Sequence, residues 1–186
     1  MLSTNVIGLD RDGTINRDLG TYVTDSIQFD PIPGSLEAVA LMQKKGYNIV
    51  IITNQAGIMK GLMSTKDLEL IHNHMISAMI RVGCLEAPKI YYSKTNLKDD
   101  VFAKPNIGMF KLAEAEMNIS FNGGVYVGDK ITDLEVADKV GAVPILVKTG
   151  YGIETVEKLK SNTELFKKTQ IFDNLWEFAN SLPWIK

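Results

Sequence analysis

Val6-Ile7-Gly8-Leu9-Asp10-Arg11-Asp12-Gly13-Thr14 runs an apolar stretch of strand length straight into two carboxylates, at the point where the chain must turn. Open α/β sheets bind ligands beyond the carboxyl ends of their strands, and an Asp placed there can hold a hard cation or attack phosphorus as a nucleophile. Gly13 supplies the bend. The same residues also read as a strand followed by an ordinary Asp-Gly turn, so the remainder of the chain decides between the two.

Working outward, strand-length apolar runs recur at Val6–Leu9, Asn48–Thr53, Lys89–Tyr92, Val125–Gly128 and Pro144–Val147, with segments of helical spacing between them. The helices are expected over Ser35–Lys45, Thr65–Val82, Ile107–Met117 and Thr132–Val140, with Gly46, Gly83 and Gly141 as stops. The tail adds a helix near Ile153–Lys160, a short strand at Gln170–Phe172 and a helix over Asn174–Ser181, in which Trp176, like Trp184 beyond it, reads as a packing residue. Alternating strands and helices, with strands apolar on both faces, predict an α/β fold with a doubly wound, mostly parallel sheet, short loop insertions and no large cap domain. The polar stretch between Thr14 and Gly34 emerges beside the two carboxylates and is too long for a simple βα loop; it is either a lid or a solvated decoration.

The 186 residues, 45% of them hydrophobic, suit one domain spanning 1–186. A formal charge of −2 with acids and bases intermixed offers no basic stripe for nucleic acid. Cys84, the single cysteine, can form neither an internal disulfide nor a cysteine-based zinc site, which fits a reducing compartment. With no export signal and no apolar run approaching the ~18–20 residues of a membrane span, the expectation is a cytoplasmic protein with no membrane partner.

More polar residues gather at the predicted strand ends. Thr53-Asn54-Gln55 puts a hydroxyl and amides there, able to donate to phosphoryl oxygens. Lys104-Pro105 is read as opening the third helix, with Pro105 at its first position and Lys104 held extended so that its ammonium projects from the loop. After the fourth strand, Asp129 and Asp133 stand four apart where a helix begins, on one face. Each piece has a plain explanation as a turn or a solvated charge, but acids, amide and lysine at successive strand ends form one phosphate-handling constellation. His72 and His74, two apart on a helix, point in different directions and read as structural or surface residues.

The ordered set Asp10-x-Asp12-Gly13-Thr14, Thr53-Asn54, Lys104 and Asp129-x-x-x-Asp133 resembles the haloacid dehalogenase superfamily of aspartate-nucleophile phosphotransferases and phosphatases. Asp10-Arg11-Asp12-Gly13-Thr14-Ile15-Asn16, Thr53-Asn54-Gln55-Ala56-Gly57-Ile58 and Val127-Gly128-Asp129-Lys130 are similar to the branch that hydrolyses heptose bisphosphate and histidinol phosphate. The resemblance implies a Rossmann-like fold with Asp10 as nucleophile and Asp12 as general acid and base. Mg²⁺ would be held by Asp10, Asp129 and the Asp12 carbonyl, with phosphate on Thr53, Asn54, Gln55 and Lys104. Thr14 and Asp133 would support, and Asp18, Gly20, Tyr22 and Lys130 would contact the sugar or its second phosphate. A proton on Asp12 would be favoured by the neighbouring Asp10 or by bound phosphate.

Two departures from that branch stand out. Its members commonly carry a structural zinc site of three cysteines and a histidine near the third strand, whereas Tyr92–Lys104 contains neither residue, so zinc is not expected. They also tend to place an arginine before the lysine, where this chain has Ala103. The implied partner is a small sugar phosphate, foremost the 7-phosphate of heptose 1,7-bisphosphate, with histidinol phosphate or another sugar phosphate as the alternative and a monomer as the expected state. A receiver-like phospho-accepting module is the competing class, but its Asp belongs at the end of the third strand, which here reads Ser93-Lys94-Thr95.

Overall fold

A computed structural model describes residues 2–185. Its strands are β1 (Val6–Leu9), β2 (Asn48–Asn54), β3 (Lys89–Ser93), β4 (Val125–Gly128), β5 (Val143–Val147) and β6 (Gln170–Phe172), all paired in parallel in the order β3-β2-β1-β4-β5-β6. Ile7 lies opposite both Ile49 and Val125, so β1 is the central strand from which the order runs both ways. The crevice beyond β1 and β4 is therefore the topological switch point, where open sheets of this kind bind ligands.

Strand residues alternate between two apolar layers, as pleated backbone requires. Ile7, Leu9, Ile49 and Ile51 join α1 (Ser35–Lys44), α2 (Thr65–Arg81) and α7 (Leu175–Ser181) on one face. Val6, Val50, Ile52 and Tyr126 join α3 (Gly108–Met117) and α4 (Ile131–Val140) on the other. Gly8 belongs to this second face, where a Cβ would stand only 2.5 Å from Tyr126 Cδ2, so its missing side chain makes room for the tyrosine ring. α5 (Gly152–Leu159) follows β5, close by the site.

Most expected elements are present, with strand ends one residue longer at Asn54, Ser93 and Val143. The structure adds α6 (Thr163–Lys168), whose six residues bury only Leu165 and so carry no apolar period; Asn162 Oδ1 caps it by accepting from Leu165 N at 3.3 Å. Pro105 is not the first residue of α3. The helix starts at Gly108, and Ala103 to Asn106 form a turn closed by Asn106 N donating to Ala103 O at 2.8 Å. Trp176 and Trp184 are 43% and 64% exposed, against the expectation of packing residues.

The 15–33 insertion is part of the core. Ile15, Val23 and Phe29 are buried with α1 and α2, and Ser35 Oγ donates to Ile15 O. A short 3-10 turn, Ser26–Gln28, is capped by Asp25 Oδ1, which accepts from Ile27 N at 2.8 Å. Among the described residues no helix is long and apolar enough to cross a membrane.

The second layer is anchored by Phe110, fully buried with its ring edge-on to Phe121 and Tyr126 at 4.9 Å each. Phe110→Ala is expected to cost ~3–5 kcal/mol in urea unfolding, the range for a buried phenylalanine that leaves a cavity; a loss below about 1 kcal/mol would contradict this packing.

Candidate active site

Asp10 follows β1 directly and is held there by its N–H, which donates to Val127 O of β4 at 2.9 Å. Asp129 follows β4, and Asp133 lies in the first turn of α4, where its Oδ2 reaches back to accept from Lys130 N at 3.0 Å. Such an acid in a helix's first turn satisfies a donor the helix itself leaves unpaired. Oxygen atoms of Asp10, Asp129 and Asp133 all lie within 4.8 Å of one another, and all three residues are buried. Gly13 sits against this cluster with φ +87°, and a Cβ there would collide with the Asp129 carboxylate.

Lys104 is the cation that lets them coexist. Its Nζ stands 2.9 Å from Asp10 Oδ1 and 2.7 Å from Asp133 Oδ1, and donates to Tyr126 Oη at 2.8 Å. Burial works against its charge, but Asp10 and Asp133 outweigh burial and hold the amine above its usual range. Tyr126 is fixed in turn, since its hydroxyl donates to Ile52 O at 2.6 Å. Asp133 thus has both oxygens engaged. Asp129 has Oδ2 accepting from Tyr151 N at 2.8 Å, whereas Oδ1 is buried with no hydrogen-bond donor among the described residues, and Lys130 Nζ is 3.9 Å away. Burial, with Asp10 and Asp133 adding to it, pushes the Asp129 carboxyl well above the usual carboxylate range despite Lys130. A buried carboxyl oxygen without a donor among the described residues, beside a second carboxylate and in an all-oxygen set, fits a hard divalent cation such as Mg²⁺, whose charge would favour the ionised form.

Asp12 occupies a different environment. Its carboxylate accepts from Arg11 Nη2 at 2.8 Å, from Asn16 Nδ2 at 2.9 Å and from Gln55 Nε2 at 2.9 Å. Burial alone would raise it, yet the Arg11 guanidinium and these donors hold it below the ordinary range, so these neighbours favour the carboxylate and not the protonated acid. The sequence reading gave Arg11 no role of its own, although it lies inside the motif. It is fully buried, held also by Gln55 Oε1 at 3.0 Å, with Nη1 3.4 Å from His72 Nε2.

The second-strand residues divide. Thr53 Oγ1 is buried and accepts from Gln55 Nε2 at 3.0 Å, so Thr53 and Gln55 brace Asp12 from below. The Asn54 side chain clamps the Lys104 backbone, since Oδ1 accepts from Lys104 N at 2.9 Å and Nδ2 donates one of its two hydrogens to Lys104 O at 3.0 Å. Thr14 is buried with its hydroxyl unpartnered among the described residues. A cavity of about 610 Å³ opens over Lys104 and Lys130, lined also by Asp18, Gly20, Tyr22 and Asn54. Across it Lys130 Nζ reaches Asp18 Oδ2 at 2.9 Å and lies 5.1 Å from the centre of the Tyr151 ring. Tyr151, and Thr149, whose hydroxyl donates to Gly13 O at 2.6 Å, come from the loop after β5, which no motif flagged.

Residues 101–178 match a hydrolase-like family model, described as HAD-hydrolase-like. The chain is 36% identical over 174 residues to the D-glycero-beta-D-manno-heptose-1,7-bisphosphate 7-phosphatase of Pseudomonas putida, covering 94% of this chain and 97% of the relative. The enzyme of the same name from Pseudomonas aeruginosa is 35% identical over 182 residues, covering 97% and 99%. Among solved structures, the D,D-heptose 1,7-bisphosphate phosphatase of Bordetella bronchiseptica, in complex with magnesium and phosphate, superposes with a TM-score of 0.85 at 31% identity, covering 94% of this chain and 96% of that one.

Burial, with the adjacent Arg11 cation, drives the His72 imidazole down to about 3, more than Asp12 raises it. An imidazole depressed in the fold stabilises it fully above its unfolded pKa of about 6.5, and that contribution is lost as pH falls from there towards 3. Ring ¹⁵N NMR is expected to show His72 neutral at pH 5; a midpoint near 6.5 would contradict the contact.

Proposed function

Because the chain belongs to the haloacid dehalogenase-like hydrolases and is a phosphatase, we propose that it is a Mg²⁺-dependent phosphomonoesterase that works through an aspartyl-phosphate on Asp10 and removes the 7-phosphate of a D-glycero-D-manno-heptose 1,7-bisphosphate. The observation that carries this reading is the buried group of Asp10, Asp129 and Asp133 around the Lys104 ammonium, at the switch point of the sheet. The substrate follows from the activity that the relatives' names print, across nearly the whole length of both chains.

Asp10 is the nucleophile in this reading. One of its oxygens attacks phosphorus in line with the ester bond, and the leaving oxygen takes the electrons of the breaking P–O bond. Asp12 gives that oxygen its proton. Water then attacks the phosphorus, Asp12 accepts the water's proton, and the bond to Asp10 breaks to release inorganic phosphate. Arg11, Asn16 and Gln55 hold Asp12 in one orientation for both steps and favour its ionised form, which suits its second role as a base. For its first role it must gain a proton, which the negative charge of an arriving phosphate favours.

Lys104 neutralises phosphoryl charge while Asp133 and Asn54 fix it in place, and preorganised donors of this kind are each worth ~10²–10³ in turnover in other enzymes. Asp10, Asp129 and the Asp12 carbonyl would hold Mg²⁺. When bound, the ion supplies positive charge that offsets the repulsion between the nucleophile and the phosphate.

Asp10→Asn is expected to abolish phosphate release from heptose 1,7-bisphosphate. Asp12→Asn, with no proton for the leaving oxygen, is expected to form phosphoenzyme slowly and to resolve it more slowly still, seen as label accumulating on protein with almost no turnover. Chelation should stop the wild type and Mg²⁺ restore it. Comparable steady-state rates in either variant, or full activity in excess chelator, would overturn the reading.

A further inference from the structure

Four lysines line the cavity over the site, and the structure accounts for two of them. Lys104 is consumed by Asp10 and Asp133, and Lys130 by Asp18. Lys60 and Lys98 have no carboxylate within ion-pair distance among the described residues, and Asp18 is the one acid among the lining residues. Two uncompensated ammoniums in one cavity are out of keeping with a chain of net charge −2. Ala103, buried beside Lys104, adds no charge of its own.

Both lysines are set on built supports. Lys60, in the loop after β2, holds its Nζ 5.0 Å from the centre of the Tyr22 ring, a cation–π placement that ties it to the insertion. Lys98 lies in the loop after β3, whose backbone is knotted around Asp100. That carboxylate accepts from Ser93 Oγ at 2.8 Å, Thr95 Oγ1 at 2.6 Å and Phe102 N at 2.9 Å. Asn106 Nδ2 donates to Lys98 O at 2.9 Å and to Asp100 O at 2.8 Å. These bonds spend no charge on Lys98 itself, so its backbone is fixed while its ammonium stays exposed.

We propose that Lys60 and Lys98 form a receiving site for a second anionic group on the leaving portion of the substrate, so that the cavity selects phosphomonoesters bearing another phosphate and disfavours those bearing an ammonium. The proposal rests on the phosphatase reading above and extends it. It moves the distal phosphate away from Lys130 and Asp18, which neutralise one another, to the two lysines that nothing neutralises. It also separates a heptose bisphosphate from histidinol phosphate on charge alone, since the latter would bring its amine to the cationic wall.

The test compares the wild type with the K60Q/K98Q variant on three esters: D-glycero-D-manno-heptose 1,7-bisphosphate, D-glycero-D-manno-heptose 7-phosphate and histidinol phosphate. The first two share the ester to be cleaved and differ in the distal anion. The ratio of kcat/KM for the bisphosphate to that for the 7-phosphate is expected to fall about tenfold or more in the variant, through KM, as loss of charged hydrogen bonds implies. The ratio of bisphosphate to histidinol phosphate should fall as well. A bisphosphate preference that survives in the variant, or that the wild type never had, overturns the receiving site and leaves the phosphatase reading intact. Release of no phosphate from any of the three by the wild type overturns both.

Discussion

Three carboxylates share a buried space less than 5 Å across, and the Lys104 ammonium is what makes that tolerable. At an effective dielectric of ~20, each pair of like charges at this separation costs about 3–4 kcal/mol. Lys104, at 2.7 Å and 2.9 Å from two of them, returns more than one such repulsion, and its own desolvation is met by Tyr126 as a third partner. The balance is still short of positive charge at Asp129, whose Oδ1 has no donor among the described residues. Under the proposed function that shortfall would be met by a divalent cation at the acids, with the phosphate meeting the lysine.

The fold serves that arrangement through short connections. β1 and β4 are neighbours, so Asp10 and Asp129 are brought together by strand pairing, with Asp10 N bonded to the carbonyl of Val127. Asp133 is fixed as the acid in the first turn of α4, and Lys104 is clamped by Asn54 from the end of β2. Every charged group in the cluster is thus held by backbone that the sheet has already placed. The close approach of Gly13 to Asp129 lets the loop after β1 lie across the end of β4, where any larger residue would push the carboxylate away.

Much of this is legible in the residue order. The strands are near-continuous apolar runs because both faces of the sheet are covered, and the polar residues that follow them differ in kind from ordinary turn residues. What remains hidden is how polar side chains pair. Asn54 also clamps the Lys104 backbone, and Arg11, which has no role of its own in the residue order, lies buried against Asp12. His72, read as either structural or surface, is buried, and nothing in its spacing tells that it sits against Arg11. Asn54 and Lys104 are 50 positions apart and Arg11 and His72 are 61 apart, separations for which local periodicity carries no signal. The α6 helix escapes for the opposite reason, being too short to show a period.

The two acids of the first loop are made unequal by their surroundings. Asp10 meets Lys104 at the floor of the site, while Asp12 is gripped by Arg11, Asn16 and Gln55 and is the more open of the pair, with 20% of its side chain exposed against 6%. Those surroundings suit the two roles of the proposed mechanism, a nucleophile held in place at Asp10 and a proton carrier oriented by three donors at Asp12. The most direct test of that mechanism is to quench the enzyme in acid during turnover, reduce it with borohydride and map the peptides by mass spectrometry. The account predicts that residue 10 alone is converted to homoserine, the mark of an acyl phosphate on its carboxylate; conversion at another acid, or at none, would contradict it.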